Sequence, residues 1–246
     1  ARENLFGTGR EVRLKINHSA LNKLYDLSYR NPYYTSDGIS REVFVAKREV
    51  DATEVESADY LENTFSGGIR YRIPLTEYDA MTFSLSAEDI ELGTTGDTPS
   101  EFVTFINAHP ESTTLLFSSS VLRDTRDNIF FPSKGFLNSF KAEISVPGSD
   151  LEFYMLRARS VWYRGLGKRF TFGLNSKFGY GDGYGDLREL PFYKNFYAGG
   201  ARSVRGFEGR SLGPRSKDPS KDALGGSKRI VFGGELKFPV PGMLDS

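Results

Sequence analysis

Phe170-Thr171-Phe172-Gly173-Leu174-Asn175-Ser176-Lys177-Phe178-Gly179-Tyr180 is the stretch on which the fold class turns. Phe170, Phe172, Leu174, Phe178 and Tyr180 alternate with Thr171, Gly173, Asn175, Lys177 and Gly179. Successive side chains of a strand leave on opposite faces, so this segment has one apolar and one polar face. Working outward, the pattern recurs. Val12, Leu14 and Ile16 alternate with Glu11, Arg13, Lys15 and Asn17, and Phe65, Ile69, Tyr71 and Ile73 with Ser66, Gly68, Arg70 and Arg72. Met81, Phe83, Leu85 and Ala87 alternate with Thr82, Ser84, Ser86 and Glu88, and Phe136, Phe140, Ala142, Ile144 and Val146 with Ser139, Lys141, Glu143 and Ser145. Ile230, Phe232, Leu236 and Phe238 alternate with Arg229, Gly233, Glu235 and Lys237. Soluble sandwiches alternate too, but their strands run to about five or six residues. Crossing a bilayer takes about 9–11. These segments are long and their polar faces are charged. The expectation is an all-β fold, a transmembrane antiparallel β-barrel.

Composition allows this and narrows the rest. The 246 residues suffice for one large β domain, and 32 basic side chains offset 32 acidic ones. No excess of positive charge points to nucleic acid. The absence of cysteine removes disulfides, thiolate metal sites and cysteine nucleophiles. No apolar run approaches the roughly 20 residues of a membrane helix, and the mean hydropathy is -0.42. A barrel survives that test, because only every second strand residue must be apolar. Twenty Phe and 13 Tyr beside 26 Gly suit long strands, aromatic girdles and tight turns.

Weaker segments near 21–30, 40–50, 111–123 and 151–164 bring the expected strands to about ten. In the last of these Arg157 and Arg159 share a face, but the apolar set is mixed and the register open. Turns rich in Pro, Gly, Asp and Asn (31–38, 74–79, 124–135, 164–167) alternate with connections of varied length (18–20, 51–59, 93–110, 147–150, 183–226). Outer-membrane barrels keep short turns on the periplasmic side. The chain therefore starts on that side and 183–226 lies outside the cell. So long a connection in a compact domain is usually functional.

Catalytic patterns are weak. His18 and His109 are the only histidines and lack carboxylates at ligand spacing, so no metal is expected. Gly165-Leu166-Gly167-Lys168-Arg169 lacks the length and the Ser or Thr of a phosphate loop and reads as a hairpin turn. Gly179, Gly181, Gly183 and Gly185 read as a strand end whose missing side chains leave room for neighbours. Asp124, Asp127 and Asp182 read as loop charges rather than acid–base carboxylates.

The long connection holds Leu190-Pro191-Phe192-Tyr193, Phe196-Tyr197-Ala198-Gly199-Gly200 and Ser203-Val204-Arg205-Gly206-Phe207-Glu208. So many aromatics suggest packing, and inside a barrel the wall on offer is the polar face. Arg205 would then need a carboxylate held in bidentate geometry. Glu235, on the lumen-facing set of the next strand, is the best candidate. Gly199, Gly200 and Gly206 would permit a tight backbone path. A plain surface charge at Arg205 is the alternative, and pattern alone leaves both open.

Phe196-Tyr-Ala-Gly-Gly-Ala-Arg-Ser-Val-Arg-Gly-Phe207 resembles the signature of the BamA superfamily, which includes TamA and the two-partner secretion transporters. The resemblance implies that Val204, Arg205, Gly206 and Phe207 form the tip of a loop folded back into the lumen. It implies that Arg205 meets acidic wall residues, Glu235 among them, with Phe196, Tyr197, Gly199 and Gly200 packing the loop. Glu3–Gly9, Asn31–Gly38, Pro132–Gly135 followed by Ser145–Asp150, Gly179–Gly183 and Leu190–Tyr193 are similar to the assembly-factor branch of that superfamily, so the likeness spans nearly the whole chain.

Its members carry a signal peptide and periplasmic POTRA domains ahead of a sixteen-strand barrel. On that frame residues 1–246 form a partial C-terminal barrel domain without the POTRA domains. The ten segments would be the third to twelfth strands, and Ser246 is not the terminal aromatic of such barrels. The implied function is a non-enzymatic, cofactor-free factor that inserts unfolded outer-membrane proteins into the bacterial outer membrane. Its implied partners are those substrates, outer-membrane lipid, and accessory lipoproteins that bind through periplasmic domains. The alternative within the superfamily is a polypeptide-secretion transporter or porin-like channel.

Overall fold

The computed structural model describes residues 7–19, 22–51, 59–167, 169–201 and 203–238. Ten strands follow one another: β1 Glu11–His18, β2 Asn22–Asn31, β3 Ser40–Asp51, β4 Leu61–Pro74, β5 Asp79–Gly93, β6 Glu111–Asp124, β7 Gly135–Ser145, β8 Phe153–Leu166, β9 Phe170–Gly183 and β10 Lys228–Lys237. Each pairs antiparallel with the next, giving a single ten-stranded meander in chain order. Among the described residues no pairing joins β1 to β10, so the sheet is open. The Glu3–Gly9 stretch is described only from Gly7, and Ser246 lies outside the described residues, as does most of the 51–59 connection.

Register keeps the two faces separate across all ten strands. Phe117 lies opposite Ile144 and Glu143 opposite Met155. Arg159 faces Lys177, which faces Val231. One face collects Leu14, Ile16, Leu27, Val43, Val45, Phe65, Leu85, Phe117, Phe140, Leu174, Phe178, Ile230 and Phe232, all exposed. In water such a belt would be a liability. In lipid it is the required outer surface, since ladder bonds join neighbouring strands from β1 to β10 and apolar side chains meet the acyl chains. No described helix is long and apolar enough to span a membrane.

The opposite face is polar toward the short-turn end, where Arg70 and Glu42 form an ion pair. Toward the other end it turns apolar. Buried residues there form two clusters, one of Tyr60, Ile90, Leu92, Phe102, Ile106 and Phe192. The second comprises Leu116, Leu151, Phe153, Met155, Leu190 and Phe196. This explains the weak pattern at 111–123 and the open register at 151–164. Leu116, Phe153 and Met155 point inward, so apolar groups occupy both faces there.

The 93–110 connection contains an element the sequence reading lacked, helix α1, Ser100–Ala108. It begins after Pro99 and buries Phe102 and Ile106, one turn apart. Its first N–H is satisfied from far along the chain, because Ser100 N donates to Asp218 Oδ2 at 2.7 Å. The 183–226 connection is ordered by a 3-10 turn at Phe192–Lys194 and by isolated bridges Phe196–Gly226, Ala198–Leu212 and Arg215–Ala223.

Candidate functional site

The site is the place where the long connection lies on the inner wall. Its seat is cut by glycines of β9, whose odd positions face inward. A Cβ at Gly179 would stand 2.7 Å from the Phe196 ring, and one at Gly181 would stand 2.9 Å from Leu190. The alternate glycines therefore leave room for the two side chains that follow them in the connection. Phe196 is also fixed by its backbone, since its N–H donates to the Gly226 carbonyl at 2.8 Å. The guanidiniums of Arg157 and Arg229 sit 5.8 and 5.3 Å from its ring centre. Phe196 thus separates two like charges while its ring face attracts both.

One turn earlier, Phe192 stacks on Phe102 of α1 with centroids 4.1 Å apart, and Tyr60 meets it edge-on at 5.0 Å. Such aromatic pairs add about 0.5–1.5 kcal/mol each beyond area burial. Burial raises the Tyr193 phenol well above its ordinary value. Beside it Lys194 Nζ lies 2.7 Å from Glu88 Oε2, and both side chains are largely covered, 16% and 21% exposed. Glu88 is an inward residue of β5, lying across from Ser66 and Thr114. This wall-to-loop pair was not singled out from the sequence, although Glu88 stood in the polar half of a clear alternation and Lys194 follows the aromatic run directly.

Beyond Phe196 the chain turns sharply. Gly199 and Gly200 take φ of +109° and +89°, a region L side chains rarely adopt. Tyr197 is covered by the Arg210 guanidinium at 4.0 Å, and its carbonyl accepts a hydrogen bond from Arg229 Nη1 at 3.0 Å. The tip closes when Gly200 N donates to the Phe207 carbonyl at 3.0 Å, with Gly206 at φ +87°. Val204 and Arg205 line a groove of about 360 Å³ with Arg159, Lys177 and Glu235 of the wall. Phe207 stays exposed.

Arg205 Nη2 lies 3.5 Å from Glu235 Oε2, with the Arg side chain 76% exposed and the Glu 25%. The bidentate fork expected from the sequence does not form, because the other carboxylate oxygen lies 3.2 Å from Lys237 Nζ. One glutamate is shared between two cations. The structure thus brings Phe196, Tyr197, Gly199, Gly200, Val204, Arg205 and Glu235 into one region of the wall. It keeps His18 and His109 apart; His109 caps α1 against Phe105. Among the described residues no group of His, Cys, Asp and Glu could hold a metal ion. Asp124 forms an ion pair with Arg126, and Asp127 receives N–H groups of Ser133 and Lys134 at 2.9 and 3.2 Å.

A meander with an exposed apolar outer face and a long connection seated on its inner wall defines an outer-membrane type of β-barrel. The Omp85 superfamily domain matches residues 4–246, and the chain belongs to that superfamily. It is 34% identical, over all of its length, to the outer membrane protein assembly factor BamA of Neisseria meningitidis serogroup B, of which it covers 32%. It is 25% identical over 93% of its length to the BamA of Nitratidesulfovibrio vulgaris, of which it covers 28%. The crystal structure of BamA from Haemophilus ducreyi lacking POTRA domains 1–3 superposes with a TM-score of 0.92 at 24% identity, covering 99% of this chain and 50% of that one. The chain therefore spans about a third of the length of the curated relatives it matches.

Proposed function

We propose that the protein to which this chain belongs resides in the bacterial outer membrane and assembles other β-barrel proteins there. Its substrates are unfolded outer-membrane proteins arriving from the periplasm. Accessory lipoproteins would meet it through periplasmic domains, and the barrel itself performs no hydrolytic chemistry. The observation that carries this reading is the long connection folded onto the inner wall of an Omp85 barrel, with Val204, Arg205, Gly206 and Phe207 at its tip. A nascent barrel must satisfy its backbone groups before it meets lipid, and a barrel edge able to open supplies a strand for that pairing. The seated connection keeps the wall in the state from which such an edge can open. Arg205, shared against Glu235 with Lys237, sets the position of the tip.

The test is reconstitution of the intact protein in vesicles, with folding of a test outer-membrane protein followed by its heat-dependent gel mobility. Arg205→Ala should slow folding of the test protein while leaving the assembly factor itself inserted. A normally inserted Arg205→Ala protein with full activity would remove the role given to the tip. Export of a dedicated soluble polypeptide, without any gain in barrel folding, would replace the assembly reading by secretion.

A further inference from the structure

Among the described residues two ion pairs join the long connection to the wall, and they differ in kind. Arg205–Glu235 is long at 3.5 Å, and its arginine is 76% exposed. Lys194–Glu88 is a 2.7 Å contact between side chains that are 16% and 21% exposed. The second pair also stands inside an apolar frame. Lys194 Nζ lies 5.7 Å from the centre of the Phe153 ring and 5.5 Å from that of Tyr193. The residues two before and two after it, Phe192 and Phe196, belong to the two buried clusters. Removing one member of a covered pair leaves a charge without compensation, which disrupts far more than loss of an exposed contact.

We infer that Lys194 is the positioning residue of the connection: its pair with Glu88 fixes the base of the connection on the wall independently of Arg205. The base is then a permanent attachment, and the tip can leave Glu235 while the base stays seated. This deepens the assembly reading, because it assigns the mobile part of the connection to the segment after Gly199-Gly200 and the fixed part to the segment before it. Nothing in the sequence signature distinguishes the two halves. The structure does so by burial and distance.

The chain contains no cysteine, so a single thiol placed at buried Leu190 reports the seat. The intact protein, cysteine-free elsewhere, carries Leu190→Cys, is held in vesicles, and is treated with a water-soluble maleimide. Labelling should be slow in this background and equally slow with Arg205→Ala. With Lys194→Met or Glu88→Gln it should rise about tenfold or more, as expected for a broken covered pair. The exchanged pair Glu88→Lys with Lys194→Glu should return it toward the slow rate, which a general loss of folding would not permit. Slow labelling in both single variants overturns the inference, as does labelling that rises with Arg205→Ala as much as with Lys194→Met. Failure of the exchanged pair to restore protection overturns it too. The readout involves no substrate, so a seat that behaves as expected in a protein inactive toward unfolded barrels would refute the assembly reading and leave the anchor standing.

Discussion

At the residue scale the inner wall is shaped by what is missing from it. Gly179 has no side chain where the Phe196 ring lies, and any Cβ would approach that ring to 2.7 Å. Gly179→Ala should therefore destabilise the seat by roughly 1–3 kcal/mol, the usual cost of overpacking. The reduction should appear as a lower midpoint in denaturant unfolding of the refolded barrel, and a wild-type midpoint would show that Phe196 moves freely. Asp127 supplies a second test, in the turn between β6 and β7. Hydrogen bonds from the Ser133 hydroxyl and backbone lower its pKa from an ordinary 3.8 to about 2. A depressed carboxylate pKa adds stability that is fully present above the unfolded value and lost as pH falls through the folded one. The amides of Ser133 and Lys134 should accordingly keep their hydrogen-exchange protection down to about pH 4 and lose it toward about pH 2. In Asp127→Asn the protection should be weaker and flat across that range. An unchanged acid profile in the variant would assign the titration to another group.

At the scale of elements, two of the contacts that hold α1 can be cut separately. Phe102 is buried against Phe192 and Tyr60, and Phe102→Ala should cost about 3–5 kcal/mol, as truncated core aromatics do. Asp218 accepts both the backbone N–H and the hydroxyl of Ser100, and Asp218→Ala should cost about 1 kcal/mol, as for loss of a helix cap. Thermal unfolding of the single and double variants measures both; a larger effect of Asp218→Ala would mean that the cap, more than the stacking, holds the helix. The same elements show what the sequence could convey. Strands between lipid and lumen were legible because two solvents impose a period of two. β6 and β8 were harder because their inner ends meet Leu190 and Phe196 instead of water. Helix α1 carried its signal in Pro99, Phe102 and Ile106, but a nine-residue element gives little periodicity. Lys194–Glu88 was illegible for a simpler reason. The pair joins residues 106 positions apart, and only the folded connection sets the lysine over β5.

For the molecule as a whole, the decisive quantity is the backbone hydrogen bonding of its two outermost strands. Within the meander every strand from β2 to β9 has two neighbours, whereas β1 and β10 have one each. Water can satisfy the free edges of a soluble sheet, but the hydrocarbon core cannot, and each unpaired group there costs several kcal/mol. Summed along two strands, that cost exceeds the whole stability of a typical domain, about 5–15 kcal/mol. Residues 1–246 made alone and offered to vesicles should therefore remain outside the bilayer or aggregate, even though their apolar outer face suits lipid. Denatured chain diluted into vesicles and separated by flotation gives the measurement. The expected result is no floating, heat-modifiable monomer. A floating monomer with strand-rich circular dichroism would show that β1 and β10 meet, and that ten strands close a smaller barrel around the same seated connection.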